Sequence, residues 1–440
     1  MTFTPWTLLI DVGIVSLLLL LGKLLRSKVR IIQRFFIPPS LLAGITALVL
    51  GPEVLGWLPL SSNMGTYAGI LIALVFSCIP FTSQKSQTKG GARVGRMWAY
   101  SQAGMLLQWA LGGALGLWVL SRLWPVNEAF GLSMPAGFCG GHGTAAAIGE
   151  SFASYGVEEM QSLAMTAATV GIIASVVIGM WLISWGAARG KTKYICAFEN
   201  LSPELRTGIL PPDKRKSMGM ASFSAISLDS MTFNFAVIAM VALGGWGLTK
   251  LIALAWPALM LPVFSCAFIV GIVVKWIMGL VKADEHISKP ILGHLSGAFT
   301  DYLVAFGVAS IRLQIVGRYV VPLLILLAIG LVLTLLYVFL IGARIHRTDS
   351  FEKSIFTWGW FTGTMAMGIA LLRITDPDSR SGCLDDYAFA YLYIAPVEIA
   401  LVSLSPLAFG SGLGWLFVTV CVLGGAGILA FSAIKGWFRK

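Results

Sequence analysis

Charge is scarce in this chain. Asp, Glu, Lys and Arg make up 12% of the 440 residues, while 57% are hydrophobic. A soluble domain carries about 25% charged residues and cannot hide so much apolar surface. Of the two signs, acid is the scarcer, with 20 Asp and Glu against 31 Lys and Arg. A net charge of +11 would suit nucleic acid, but the basic residues sit between apolar runs, as membrane topology requires, so no nucleic acid partner is expected. Histidine is also rare, at His142, His286, His294 and His346. With no HExxH, GxSxG or P-loop, the chain is not expected to be an enzyme. The longest loop, 188–226, is too short for the nucleotide domain of an ATP-driven pump. Cys78, Cys139, Cys196, Cys266, Cys383 and Cys421 form no CxxC pair and mostly lie in apolar runs, where they act as small hydrophobes.

What is present is a series of apolar runs near the ~20 residues a helix needs to cross hydrocarbon. They fall at 7–25, 38–58, 66–83, 97–121, 161–187, 229–249, 256–281, 291–311, 317–342, 387–408 and 413–434. None shows the alternation of an outer-membrane barrel strand. The first is preceded by no Lys or Arg and followed by no small-residue cleavage site, so it reads as a span and not as a cleavable signal. Stretches 129–153 and 355–374 are apolar but broken by Gly and small residues. The expected fold is therefore an all-α polytopic membrane protein.

Basic clusters alternate with nearly charge-free loops. They include Lys23 to Arg34, Lys85 to Arg96, Arg189 to Lys216, Lys282 with Lys289, Arg344 to Lys353, and Lys435 to Lys440. All lie on one side only if 129–153 and 355–374 dip in and return, the first from outside and the second from the cytoplasm. This puts the N-terminus outside and the C-terminus in the cytoplasm. Five spans precede the central loop and five follow it before the last, which forces two similar halves into opposite orientations. IPPSLLAGITALVLG (37–51) pairs with LPVFSCAFIVGIVVK (261–275), and GHGTAAAIG (141–149) with TGTMAMGIA (362–370), in equivalent places. The expected divisions are a first inverted repeat over 1–190, a cytoplasmic basic loop over 191–226, a second repeat over 227–412, and an additional C-terminal span over 413–440.

CGGHGTAAAIGE (139–150) is the most informative stretch. Gly140, Gly141 and Gly143 around His142 favour unwound backbone followed by a helix start at Thr144. Such a start offers free N–H groups and partial positive charge. Non-helical backbone in a membrane is tolerated where it is buried in protein or lines a wet cavity. The bland reading is close helix packing through small residues. His142 is either a satisfied core residue or a ligand, and Thr144 a cap or a hydroxyl donor. Glu150 sits at an external mouth or binds a cation. Gly363 and Thr364 match Gly143 and Thr144 in the second half. Arg373 follows, either snorkelling to the surface or meeting a carboxylate. Asp301 and Arg312 are read three turns apart on one helix face, as an ion pair or a site. Lys275 and Asp229 read as interfacial. Glu398, well inside its span, is the best carboxylate for proton or cation coupling.

Ile37-Pro38-Pro39 before the second run and Gly140-Gly141-His142-Gly143-Thr144 make the chain resemble the glutamate:sodium symporter family. Span order and the central basic loop agree with it over about 400 residues. The resemblance implies two inverted five-span halves, each with a re-entrant hairpin, a plan shared with the 2-hydroxycarboxylate carriers. It implies a homodimer in a bacterial-type inner membrane, with a substrate-carrying unit moving against a scaffold. Two features depart from the family pattern. The second hairpin is poorer in glycine, reading Gly363-Thr364-Met365-Ala366-Met367-Gly368, and an additional span follows at 413–434.

Importing a monoanion against an inside-negative potential costs about 2.3 kcal/mol per charge per 100 mV, so an anion importer needs co-transported cations. Sodium suits oxygen ligands at the hairpin tips. The expected function is a secondary transporter importing glutamate or a related small dicarboxylate with sodium, needing no cofactor. Substrate would be held by Gly140 to Thr144, Gly363, Thr364 and Arg373, with Glu398, Asp301 and Glu150 as candidates for cation coupling. The alternatives are a proton- or sodium-coupled carrier of another organic anion, of the 2-hydroxycarboxylate type, and a passive anion channel.

Overall fold

The computed structural model describes residues 4–82, 91–194, 207–215, 217–219, 226–255, 261–377 and 379–438. Lys85, Lys89, Cys196, Arg206, Lys216, Arg439 and Lys440 lie outside them. The described residues are helical, with no strand among them. Ten of their helices are long and apolar enough to cross a membrane, and the chain is a multi-pass membrane protein.

The first half runs through helices Pro5–Lys28, Pro39–Leu50, Met64–Thr82 and Ala92–Leu123, then a broken pair, then Glu159–Ala188. The second runs through Ser230–Ala255, Val263–Leu280, Lys289–Ala309 and Val320–Ile345, a broken pair, and Cys383–Gly410. Gly414–Ile434 follows. The same order therefore occurs twice: four helices, a broken pair, one long helix. The run 38–58 departs from expectation. Its helix spans 12 residues and stops before Gly51-Pro52, where Gly56 N–H returns to the Gly51 carbonyl at 2.7 Å. Proline cannot donate the next helical bond, so the apolar run outlasts the helix.

Two compact units interleave along the chain. The first comprises Met1–Leu20, Ser40–Lys85 and Leu210–Ser310. Its core gathers Cys78, Phe81, Ile238, Val241 and Leu292. Asp11, which the sequence reading passed over, is fully buried there and accepts from Ser61 N at 3.0 Å, Ser61 Oγ at 2.5 Å and Tyr67 Oη at 3.0 Å. Three donors to one buried carboxylate tie the first helix to the start of Met64–Thr82. Asp229 caps Ser230–Ala255, accepting from Met231 N at 2.9 Å and Thr232 N at 3.1 Å. Lys275 donates to the Pro80 carbonyl near the end of its helix.

The second unit comprises Leu21–Pro39, Ser86–Ile209 and Ile311–Lys440, and holds both broken pairs. Its core packs Phe130, Met134, Phe138 and Leu163 against Leu323, Leu326 and Leu327. Small residues allow close approach. A Cβ added at Gly137 would lie 2.5 Å from Ala168 N, and one at Gly179 would lie 2.6 Å from Leu371 Cδ1. Asp301 and Arg312 do not share a helix, because Lys289–Ala309 ends before Arg312, which precedes the short helix Leu313–Arg318. Arg312 instead pairs with Glu158 at 3.7 Å and donates its N–H to Ser162 Oγ at 3.1 Å.

Candidate functional site: two broken helix pairs

In the first pair, the leading arm Ser133–Phe138 ends at Cys139 and the return arm Gly141–Ala153 begins two residues later. Gly140 and Gly141 have φ of +115° and +63°, backbone that side chains rarely adopt, so glycine is what permits so sharp a break. In the second, Ser350–Thr362 breaks at Gly363-Thr364 and resumes as Met365–Thr375. Here extended backbone at Thr364, with φ of −144°, makes the break without a left-handed residue, so fewer glycines suffice.

The two breaks touch. A Cβ built on Gly141 would stand 2.6 Å from Thr364 Cγ2 and 3.1 Å from the Gly363 carbonyl oxygen. Each break turns a helix C-terminus and a helix N-terminus toward one place, giving orphan carbonyls and orphan N–H groups side by side. Around it the protein is close-packed, yet Gly140, Gly143, Thr364 and Met365 are only partly buried and Ala366 is exposed. The helix Glu159–Ala188 supports both breaks. Its Gly171 leaves no room for a Cβ between Phe138 and the Thr362 carbonyl, and Ser175 receives Trp358 Nε1–H on its carbonyl at 3.1 Å. Gln108 Nε2 donates to the Phe361 carbonyl at 3.0 Å and to Thr334 Oγ1 at 2.9 Å.

His142 is 1% exposed, with Nε2 3.1 Å from Thr169 Oγ1. Thr169 gives its own proton to the Met165 carbonyl at 3.0 Å, so on hydrogen-bond logic it accepts from His142 Nε2–H. Nδ1 is then a bare acceptor, shut from solvent and without a partner. Thr144 Oγ1 lies over Gly140, where a Cβ would collide with it. The Glu398 carboxylate reaches the same residue, its Oε1 standing 3.2 Å from that Cβ position. Glu398 sits between Pro396 and Pro406 in Cys383–Gly410 and accepts from Tyr391 Oη at 3.2 Å. Each proline lacks the N–H that would pair the carbonyl one turn back. Glu150 is two turns along the return arm, with Oε2 shielded and unpartnered.

Arg373 stands at the far end of its arm, nine residues from Thr364, roughly 13 Å along the axis. Its Nη1 donates to the Pro377 carbonyl at 2.8 Å and Ser379 Oγ at 3.1 Å. Asp301 belongs to the other unit. The structure thus gathers Gly140, Gly141, His142, Thr144, Gly363, Thr364 and Glu398, and leaves Arg373 and Glu150 away from the break. Sequence reasoning missed Tyr391, Gln108, Thr169 and Ser175. Their signal was faint, since each is one of several polar side chains within an apolar run.

A buried charge cluster at the base of the second pair was also missed. Lys353 is 3% exposed and meets Asp386 Oδ2 at 2.8 Å, and Arg93 reaches the same oxygen at 3.2 Å. As a basic residue near a span end, Lys353 looked like part of a topology signal. Nearby, Lys193 is held above its ordinary range by Asp349, 3.0 Å away.

The five described cysteines are free and buried. The sequence profile of the family described as Sodium/glutamate symporter matches residues 7–367. That stretch includes both breaks and stops short of Arg373, Glu398 and the last helix. No curated protein matches the chain.

Proposed function

The chain belongs to the sodium/glutamate symporter family, and from that premise we propose that it imports glutamate or a related small dicarboxylate together with sodium. The observation that carries this reading is the contact between the breaks, Gly141 against Gly363-Thr364. A carboxylate of the substrate sits on the N–H groups opening the return arm at Gly141 to Thr144. Sodium takes carbonyl and hydroxyl oxygens freed at the breaks, with Glu398 as the nearby counter-charge. Both pairs are hairpins that re-enter the membrane, in halves of opposite orientation, with the N-terminus outside and the C-terminus in the cytoplasm. The protein works as a homodimer.

A second reading is a proton-coupled carrier of another organic anion. It is favoured by Glu398, a lone carboxylate hydrogen-bonded to a neutral Tyr391, which suits a proton as well as sodium. Uptake by purified protein in liposomes, over a panel of amino and hydroxy acids, decides between the two. Accumulation of glutamate that needs an inward sodium gradient supports the first. Accumulation driven by a proton gradient alone overturns it in favour of the second. A channel would show no counterflow of labelled for unlabelled substrate.

A further inference from the structure

Within the second unit, a groove of about 690 Å³ runs between the ends of Glu159–Ala188 and Val320–Ile345. Its walls include Trp181, Trp185, Leu336, Phe339 and Leu340, and its floor is Phe351 and Ser354 of the second pair's leading arm. Trp181 is 61% exposed and Leu340 56%. Such a cleft between membrane helices is lined for hydrocarbon. One end differs in character. Lys191 lines the groove, and the Lys191 and Arg189 cations lie over the Trp185 ring at 4.4 Å and 4.6 Å from its centroid. Among the described residues no acidic side chain lines the groove, and the two next to its lining in sequence are engaged by Lys193: Asp349 by its Nζ at 3.0 Å, and Glu352 by its backbone N–H at 2.9 Å.

We propose that this groove binds an anionic phospholipid, with an acyl chain along Leu336, Phe339 and Leu340 and the headgroup phosphate on Lys191 and Arg189. Three features converge on that occupant. The apolar walls demand a hydrocarbon chain. The pair of cations at one end, ion-paired to no described carboxylate, demands negative charge at the chain's head. Trp185, carrying both cations on its face, has the amphipathic ring that settles at headgroup depth. Basic pockets between helices are the recurring site for anionic headgroups. Binding has a mechanical consequence, because the groove floor is part of the second pair. Phe351 fills the space left at Gly186, and Ser354 Oγ donates to the Val338 carbonyl at 3.2 Å. A chain lying on these residues braces the base of the arm that leads to Gly363.

The test uses the purified full chain in detergent, with phosphatidylglycerol and phosphatidylcholine of identical acyl chains. Native mass spectrometry should retain phosphatidylglycerol preferentially, and that lipid should raise the melting temperature more. Arg189→Ala with Lys191→Ala should weaken phosphatidylglycerol retention about tenfold or more, while the melting temperature without lipid stays unchanged. Ala343→Trp, which fills the groove, should block retention with the basic residues intact. Glycerol phosphate should not displace the lipid. Equal retention of the two lipids, or undiminished phosphatidylglycerol retention by the double variant, overturns the proposal. Displacement by glycerol phosphate also overturns it, since the site would then be one for soluble anions.

Discussion

Gly141 and Thr364 press against each other across two helix breaks that lie more than two hundred residues apart in the chain. A Cβ on Gly141 meets Thr364 Cγ2 at 2.6 Å and must also adopt a φ of +63°, which costs an L-residue roughly 1–2 kcal/mol. Gly141→Ala should therefore lose most uptake. Adding Thr364→Ser removes Cγ2 but keeps the hydroxyl, and should restore part of it. If single and double variants transport equally, the contact has no bearing on function.

On the proposed reading Glu398 serves coupling, and variants at Glu398 and Tyr391 test coupling apart from binding. Tyr391 and Glu398 share one helix, and even a hydrogen bond between membrane helices is worth only roughly 0.6–1.7 kcal/mol, so Tyr391→Phe should weaken substrate affinity by no more than about twentyfold. Glu398→Gln should abolish ion-driven accumulation yet leave counterflow of substrate measurable. A Glu398→Gln protein that accumulates substrate like the parent would remove this carboxylate from the coupling scheme.

Asp386 neutralises the buried Lys353, and taking one partner from such a pair leaves a bare charge, at about 3–5 kcal/mol. Asp386→Asn should markedly lower the melting temperature in detergent. Asp386→Leu with Lys353→Met should recover most of that loss, because no charge is then buried. Arg93 is half-exposed, so Arg93→Ala should have a much smaller effect.

Arg373→Lys keeps a charge but loses the planar fork. If the guanidinium meets a second carboxylate, affinity for a dicarboxylate should fall well below that for a monocarboxylate. An equal, small change in both would assign Arg373 only to the loop it binds through Pro377 and Ser379.

The last helix, read from sequence as an additional span with no counterpart in the first half, packs closely on Ala92–Ala114. Val418 and Cys421 are buried, and a Cβ on Gly425 would stand 2.8 Å from Leu107 Cγ. Removing residues after 412 should lower thermal stability while leaving uptake per folded molecule largely intact. A folded truncation without uptake would make the helix part of the transport machinery.

Composition and the spacing of apolar runs determined that the chain is helical and crosses a membrane, because in hydrocarbon the backbone must satisfy its own hydrogen bonds and helices do so locally. GGHGT announced the first break, because two residues with positive φ leave a glycine signature. The second break rests on extended backbone at Thr364 and showed only through its match to the first. Local pattern misjudged 38–58, where apolar character continues past the helix end at Gly51, and joined Asp301 to Arg312 across a helix terminus.

Tertiary structure alone decided which residues share a place. Glu398 reaches Gly140, Gln108 reaches the Phe361 carbonyl, and Lys353 finds Asp386, through side-chain contacts between segments 33 to 258 residues apart. Apolar periodicity tells which face of a helix is buried, but not against which neighbour. A charged residue at a span end reads alike whether it faces water or a buried carboxylate. Those outcomes depend on how the helices pack, and packing is set by small residues such as Gly171 that the sequence spreads along every span.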